Sequence, residues 1–185
     1  MWEKTTTPIE GLYVLMPFHA SDMRGGFTKL FEKDIFNSLE LPNETNEIFV
    51  STSRPGVLRG IHFQYHNPQA KFVSVLKGRI FDVVVDLRKN SPTFGKWHAE
   101  ELTEENHHVF CVPRGFAHGF QVLGDEEAVV MYQCCGRYDK ESDSGVRWDD
   151  PELAVAWPEA TERIISARDA AQMTFAQFKE KIGAL

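Results

Sequence analysis

From Gly56 to Cys135 the chain runs through short stretches in which apolar and polar positions alternate with a period of two, punctuated by glycine and proline. That period puts successive side chains on opposite faces of a strand. The residues GVLRGIHFQ, 56–64, read as one such strand, with Leu58, Gly60, His62 and Gln64 on one face and Val57, Arg59, Ile61 and Phe63 on the other. Lys71–Leu76 and Arg79–Leu87 are two more, joined by a hairpin turn at Lys77-Gly78. In the second of these Asp82, Val84 and Asp86 share a face, and Phe81, Val83 and Val85 share the other. Val109–Val112, Gly119–Leu123 and Ala128–Cys135 continue the series, with turns at Asn90-Ser91-Pro92, Pro113-Arg114-Gly115 and Gly124-Asp125. Helix is expected only at the flanks. Phe31–Leu39 is one short candidate, and 174–183 is the other, where Thr174 and Gln177 have capping-box spacing ahead of an apolar stripe of Phe175, Phe178 and Ile182. Many short strands with close turns predict an all-β sandwich or barrel, not a parallel sheet with crossover helices.

Composition narrows the class. With 185 residues, 42% hydrophobic and 25% charged, the chain suits one globular domain spanning 1–185. A net charge of −7 argues against nucleic acid as a partner, while leaving room for a local cluster of arginines to bind a small anion. No apolar run reaches the length of a membrane span, and the first residues lack a basic-then-apolar signal pattern. Cys111, Cys134 and Cys135 do not form a disulfide framework, since adjacent residues of a strand point apart; they read as reduced thiols of a cytoplasmic protein.

Among seven histidines, His62 and His118 stand apart, each in a glycine-bracketed apolar segment. His107-His108 lies in a polar stretch and reads as solvated loop, and His19, His66 and His98 have no evident partner. A small β-barrel binds metal through His-x-His on one strand, because residues i and i+2 leave the same face. Here the second position is Gln64, a poor ligand, which weakens the metal reading. Acid–base chemistry next to a carbonyl needs a neutral histidine as base, a cation to steady the enolate and an acid on the opposite side. Lys71 is a candidate cation and Tyr132 a candidate acid, although a mid-strand tyrosine is also an ordinary core residue. No Gly-x-Ser-x-Gly elbow and no glycine-rich phosphate loop is present, so phosphate recognition would fall to arginines such as Arg24, Arg59 and Arg114.

In order, GVLRGIHFQ, PQAKFV, GRIFDVVVDLRKNSPTFGKW, VPRGFAHGF and GVRWDDPELAVAWP resemble the dTDP-4-dehydrorhamnose 3,5-epimerase family over roughly residues 8–169. The resemblance implies a cupin-type jelly-roll barrel with short flanking helices, a homodimer with exchanged strands, no metal and no cofactor. It implies a nucleotide-linked 4-keto-6-deoxy sugar as substrate and inversion at C3, C5 or both. It assigns His62 as base, Tyr132 as acid and Lys71 as the enolate's partner. It places Arg59, His118, Asp82 and Gln64 at the sugar and phosphates, and Arg24, Phe27, Glu47 and Phe49 towards the nucleotide. Four positions depart from the family pattern. Glu47 and Phe49 stand where Gln and Asn are common, and Lys29 replaces a glutamate. In the segment expected to supply an aspartate to the base, Ile165-Ser-Ala-Arg-Asp169, Ala167 occupies the first aspartate position and Asp169 the second. The expectation is a base without its aspartate unless the chain shifts locally, and a substrate for which CDP- or GDP-linked sugars stay open. A metal-dependent cupin enzyme and a catalytically silent sugar-nucleotide binder are the readings of other classes.

Overall fold

A computed structural model describes residues 2–185. Six strands make one antiparallel sheet: β1 (Glu3–Thr6), β2 (Tyr13–Met16), β5 (Thr45–Ser53), β7 (Ala70–Lys77), β10 (Val109–Val112) and β12 (Ala128–Cys135), in the order β1-β2-β10-β7-β12-β5. Five make the other: β6 (Leu58–Gln64), β8 (Arg79–Asp86), β9 (Trp97–Thr103), β11 (Phe116–Val122) and β13 (Asp143–Gly145), in the order β13-β6-β11-β8-β9. β3 (Phe18–Asp22) and β4 (Gly25–Lys29) pair only with each other. The helices are α1 (Lys33–Ser38), α2 (Ala167–Ala170) and α3 (Phe175–Lys181). No helix among the described residues is long and apolar enough to cross a membrane.

Alternation along the strands sorts the apolar residues into three layers. Val73, Val75, Phe110, Val112 and Val130 from the six-stranded sheet meet Ile80, Val84, Leu102, Phe116, Phe120 and Val122 from the other, filling the space between the sheets. The opposite face of the five-stranded sheet, with Ile61, Phe63, Val83 and Val85, packs on Phe175 and Phe178 of α3. The opposite face of the six-stranded sheet, with Leu15, Phe72 and Val109, packs on Phe36 of α1. The expected C-terminal helix is present with both halves of its Thr174–Gln177 capping box, while the helix expected over Phe31–Leu39 shrinks to six residues. As expected, Cys134 points between the sheets and Cys135 outward; the three cysteines are free. Alternation also fixes where polar groups go. Lys71 shares its face with Val73, Asp82 with Ile80 and Val84, His118 with Phe116 and Phe120, and Tyr132 with Val130, so all four project between the sheets.

One strand breaks the alternation, and the expected facing of GVLRGIHFQ is corrected there. β6 pairs with β11 as His118↔His62 and then Phe120↔Arg59, so two residues of β6, Gly60 and Ile61, oppose Gly119 alone. This β-bulge reverses the parity of the strand, so Arg59 and His62, three apart, both face inward. Leu58 turns outward with its partner Gln121, and Val57 packs against the inner core. The bulge requires glycine: Gly60 has φ +124°, and a Cβ there would lie 2.5 Å from Gly119 Cα. Gly25 has nearly the same φ, +126°, but open space around its Cβ position. Gly60→Ala is therefore expected to destabilise the protein by at least about 2 kcal/mol more than Gly25→Ala in urea denaturation. Equal losses would mean that backbone strain alone, and not the strand contact, sets the requirement.

Candidate active site

The inward polar groups collect between the two sheets. His62 and His118 are register partners on neighbouring strands β6 and β11. His118 is buried and its Nε2 hydrogen-bonds Asp82 Oδ2 at 2.9 Å, with Oδ1 at 2.8 Å. Asp82 is fully buried, which raises its carboxyl above the ordinary value, against the opposing pull of His118 and Lys71. Across the interior stand Tyr132 of β12 and Lys71 of β7. The Tyr132 ring meets His118 edge-on, with centroids 5.8 Å apart, and stacks on Phe49 of β5 at 4.7 Å. Burial and the nearby Asp82 carboxylate push the Tyr132 phenol well above its ordinary value, so it holds its proton at neutral pH.

Lys71 is partly buried and, among the described residues, has no carboxylate within ion-pairing distance. Burial lowers its ammonium from the usual value; the carboxylates of Asp143, Glu47 and Asp82 act in the opposite sense. Cys134, the register partner of Lys71, is itself pushed up to about 11 by burial and stays a neutral thiol. Lys71 thus stands on the inner face of β7 without a committed counterion.

His62 does not lack an aspartate. The segment after Trp157 returns to β6 through a parallel bridge at Val57↔Ile164 and leaves through another at Val146↔Met173. Between them Ser166 caps α2, its Oγ accepting from the Asp169 amide at 3.0 Å. That turn buries Asp169, whose Oδ1 lies 2.6 Å from His62 Nε2 and whose Oδ2 accepts from the Gly60 amide at 3.4 Å. Burial opposes the Asp169 charge, but hydrogen bonds from His62, Gly60 and Ser166, together with the His62 charge interaction, outweigh it and hold the carboxyl below the ordinary value. The expectation built on Ala167 is thus corrected: Ala167 is exposed at the first position of α2, and the aspartate that pairs with His62 is Asp169. The sequence did carry a signal, because Ser166-Ala-Arg-Asp169 has the spacing at which an N-cap serine accepts from the amide three residues on and starts a helical turn.

The other expected site residues divide. Arg59 faces inward, its guanidinium held by Ser53 Oγ at 3.0 Å and the Thr52 carbonyl at 3.4 Å. Glu47 of β5 accepts from Gln69 Nε2 at 2.8 Å. Gln64 is buried and spends its amide on the backbone, donating to the Asn67 and Arg137 carbonyls and accepting from the Asp139 amide, so it fastens β6 to the loop after β12 instead of reaching a ligand. Arg24 and Phe27 do not join the cluster. They sit on the β3–β4 hairpin, where Arg24 pairs with Asp22 at 2.6 Å and Phe27 is exposed. His19 and His107, expected to be unpartnered and solvated, stack on one another at 4.0 Å, and His98 pairs with Glu100. Among the described residues no group of three or more His, Cys, Asp or Glu side chains is arranged to hold a metal ion.

A two-sheet β-fold that gathers a histidine–aspartate pair, a buried phenol and a lysine without an ion-pair partner on its inner faces is an arrangement suited to proton transfer. The family model described as dTDP-4-dehydrorhamnose 3,5-epimerase matches residues 6–177, and the chain belongs to that family of isomerases. It is 46% identical over 168 residues to the dTDP-4-dehydrorhamnose 3,5-epimerase of Methanothermobacter thermautotrophicus, covering 88% of this chain and 89% of that one. The dTDP-6-deoxy-D-glucose-3,5-epimerase of Legionella pneumophila, solved with dTDP-4-keto-L-rhamnose, superposes with a TM-score of 0.94 at 37% identity over 98% of this chain and 97% of that one. A 3'-monoepimerase of Streptomyces bikiniensis, solved with dTDP-quinovose, gives 0.89 at 31% identity over 96% and 90%. These likenesses establish the expected cupin-type jelly roll.

If Asp169 is the partner of the base, Asp169→Asn lowers kcat by at least about tenfold, and Ala167→Asp leaves it within about twofold. A gain in rate on Ala167→Asp would restore the discarded assignment.

Proposed function

We propose that the protein inverts C3 and C5 of dTDP-4-dehydro-6-deoxy-D-glucose, giving dTDP-4-dehydro-L-rhamnose. The observation that carries this is the placement of His62 and Tyr132 on the inner faces of opposing sheets: His62 rises from β6, opposite the buried His118 of β11, and Tyr132 from β12, with its ring against His118. A sugar ring held between them presents one face to a base and the other to an acid. The C4 ketone acidifies the hydrogens on C3 and C5. His62 takes such a proton through the ring nitrogen not bound to Asp169, and the electron pair moves onto the ketone oxygen. The Lys71 ammonium stabilises that enolate oxygen, where a cation in a partly desolvated site is most effective. Tyr132 then donates its proton to the opposite face of the carbon, and the configuration is inverted. His62 leaves the step protonated and Tyr132 as phenolate, and exchange with solvent resets both. Arg59 and His118 hold the sugar diphosphate, with Asp82 fixing the His118 ring. The Asp169 carboxylate orients His62 and stabilises the imidazolium.

The enzyme acts as a cytoplasmic homodimer in this reading. The β3–β4 hairpin is paired to neither main sheet and exposes Phe18, Met23 and Phe27, and β5, an edge strand, exposes Ile48, Phe49 and Val50. Exposed apolar edges of this kind are surfaces for a second copy. In the dimer the hairpin brings Arg24 and Phe27 towards the nucleotide of the neighbouring site. Sedimentation is expected to give twice the mass of one chain, and Met23→Asp to shift it towards the monomer with a raised KM. A wild-type monomer with full activity would exclude this arrangement.

The chemistry is tested in heavy water with dTDP-4-dehydro-6-deoxy-D-glucose, following deuterium at C3 and C5 by NMR. Wild type is expected to exchange and invert both carbons. His62→Ala should lose exchange at both by at least about 10²-fold, whereas Tyr132→Phe should keep exchange and lose inversion. Undiminished exchange in His62→Ala would remove His62 as the base. Exchange at a single carbon would make the protein a single-centre epimerase, and turnover only of the CDP or GDP sugars would reassign the nucleotide.

A further inference from the structure

We infer that Arg168 is a positioning residue, whose ion pair with Asp143 holds the α2 turn so that Asp169 meets His62. α2 has four residues, too few for a helix to keep its own geometry. Its bridges at Ile164 and Met173 fix where the segment enters and leaves but not the rotation of the turn between them. Two contacts set that rotation from the outer side. Ser166 caps the turn, and Arg168 Nη2 lies 2.8 Å from Asp143 Oδ2. The anchor is firm. Asp143 belongs to β13, its side chain is only 15% exposed, and the same Oδ2 accepts from the Tyr138 hydroxyl at 2.8 Å. Asp143 is also the register partner of Gln64, two residues along β6 from His62. The tether therefore ties the residue before Asp169 to the strand beside the one that carries the base.

An ion pair with one partner 53% exposed adds little to global stability. Its effect is expected in geometry: Arg168 and Asp169 are adjacent on one turn, so a rotation that frees the guanidinium swings the carboxylate away from the imidazole. A misplacement of this kind reduces kcat without touching the groups that bind substrate. Arg168 is a cleaner probe than Asp143, because the Asp143 carboxylate also acts on Lys71.

This inference rests on the reading of His62 as the base, and two measurements separate the failures. In kinetics on dTDP-4-dehydro-6-deoxy-D-glucose, Arg168→Ala is expected to lower kcat about tenfold with KM within about twofold, and Arg168→Lys to restore most of the rate. In an Asp169→Asn background the same Arg168→Ala change should alter kcat less than about twofold, since the two act through one contact. A KM effect with kcat intact, or an undiminished kcat effect in the Asp169→Asn background, would overturn the inference in favour of direct substrate contact. Without substrate, the His62 imidazole N–H proton, identified by its loss in His62→Ala, should exchange with solvent faster in Arg168→Ala than in wild type. Equal exchange would refute the tether whatever the substrate. Faster exchange in a protein that leaves the dTDP sugar unchanged would keep the tether and refute the functional reading instead.

Discussion

The approach of two glycines, Gly60 and Gly119, is the contact on which the catalytic geometry depends. A side chain at Gly60 would lie 2.5 Å from Gly119 Cα, and one at Gly119 would lie 2.8 Å from the Arg59 carbonyl. Only hydrogens fit, and the space lets β6 carry one residue more than β11 across the pair. Without the bulge, a strand of strict period two would present either Arg59 or His62 to the interior. With it, the strand turns both Arg59 and His62 to its inner face while Ile61 and Phe63 still face α3. The Gly60 amide then donates to Asp169, so the same irregularity that turns His62 inward helps to seat its partner.

Placing that much charge between two sheets carries a desolvation cost, and the pairing pattern decides which groups keep their charge. Asp82 is fully buried and has His118 beside it, and Asp169 has His62, Gly60 and the Ser166 cap. Each carboxylate is answered by a donor, which is what makes its burial tolerable. Lys71 is the exception. Burial disfavours its ammonium and the carboxylates of Asp143, Glu47 and Asp82 favour it, but none of them is within ion-pairing distance. A positive charge held without a fixed partner is suited to a negative charge that arises only during reaction, because the interaction strengthens as the enolate forms.

The strands were legible because sheet packing forces alternation on them. Val109–Val112 and Ala128–Cys135 end where the pattern says, and Lys71, Asp82, His118 and Tyr132 fall on the inner face for the same reason. What resisted reading was non-local. The N-terminal strands β1 and β2 carry no strong alternation, and β1 pairs with β2 at a sheet edge where few contacts constrain its residues. Period two misplaces Arg59 relative to His62 because a bulge is a property of two strands, and one strand's pattern does not contain it. Asp169 was obscured by attention to Ala167, although the Ser166 cap two residues before Arg168 marks the turn that brings the carboxylate inward. Gln64 illustrates the converse: its place beside a base in the strand pattern invites a ligand role, while its buried amide is consumed by the loop that follows β12.

In the proposed reaction the division of labour between His62 as base and Tyr132 as acid draws on their surroundings as well as on residue type. His62 is partly accessible and backed by a carboxylate below its ordinary pKa, so a proton arriving on the ring is stabilised by a charge already in place. Tyr132 is packed between Phe49 and His118, and burial makes its phenolate costly. A costly phenolate means that the phenol keeps its proton until an enolate carbon of sufficient basicity is presented to it. The phenolate, once formed, is quickly reprotonated. In the proposed reaction a base and an acid mounted on opposite walls give direction to the transfer across the ring. The jelly roll supplies the opposed walls, and the bulge and the capped turn place the base and its carboxylate on one of them.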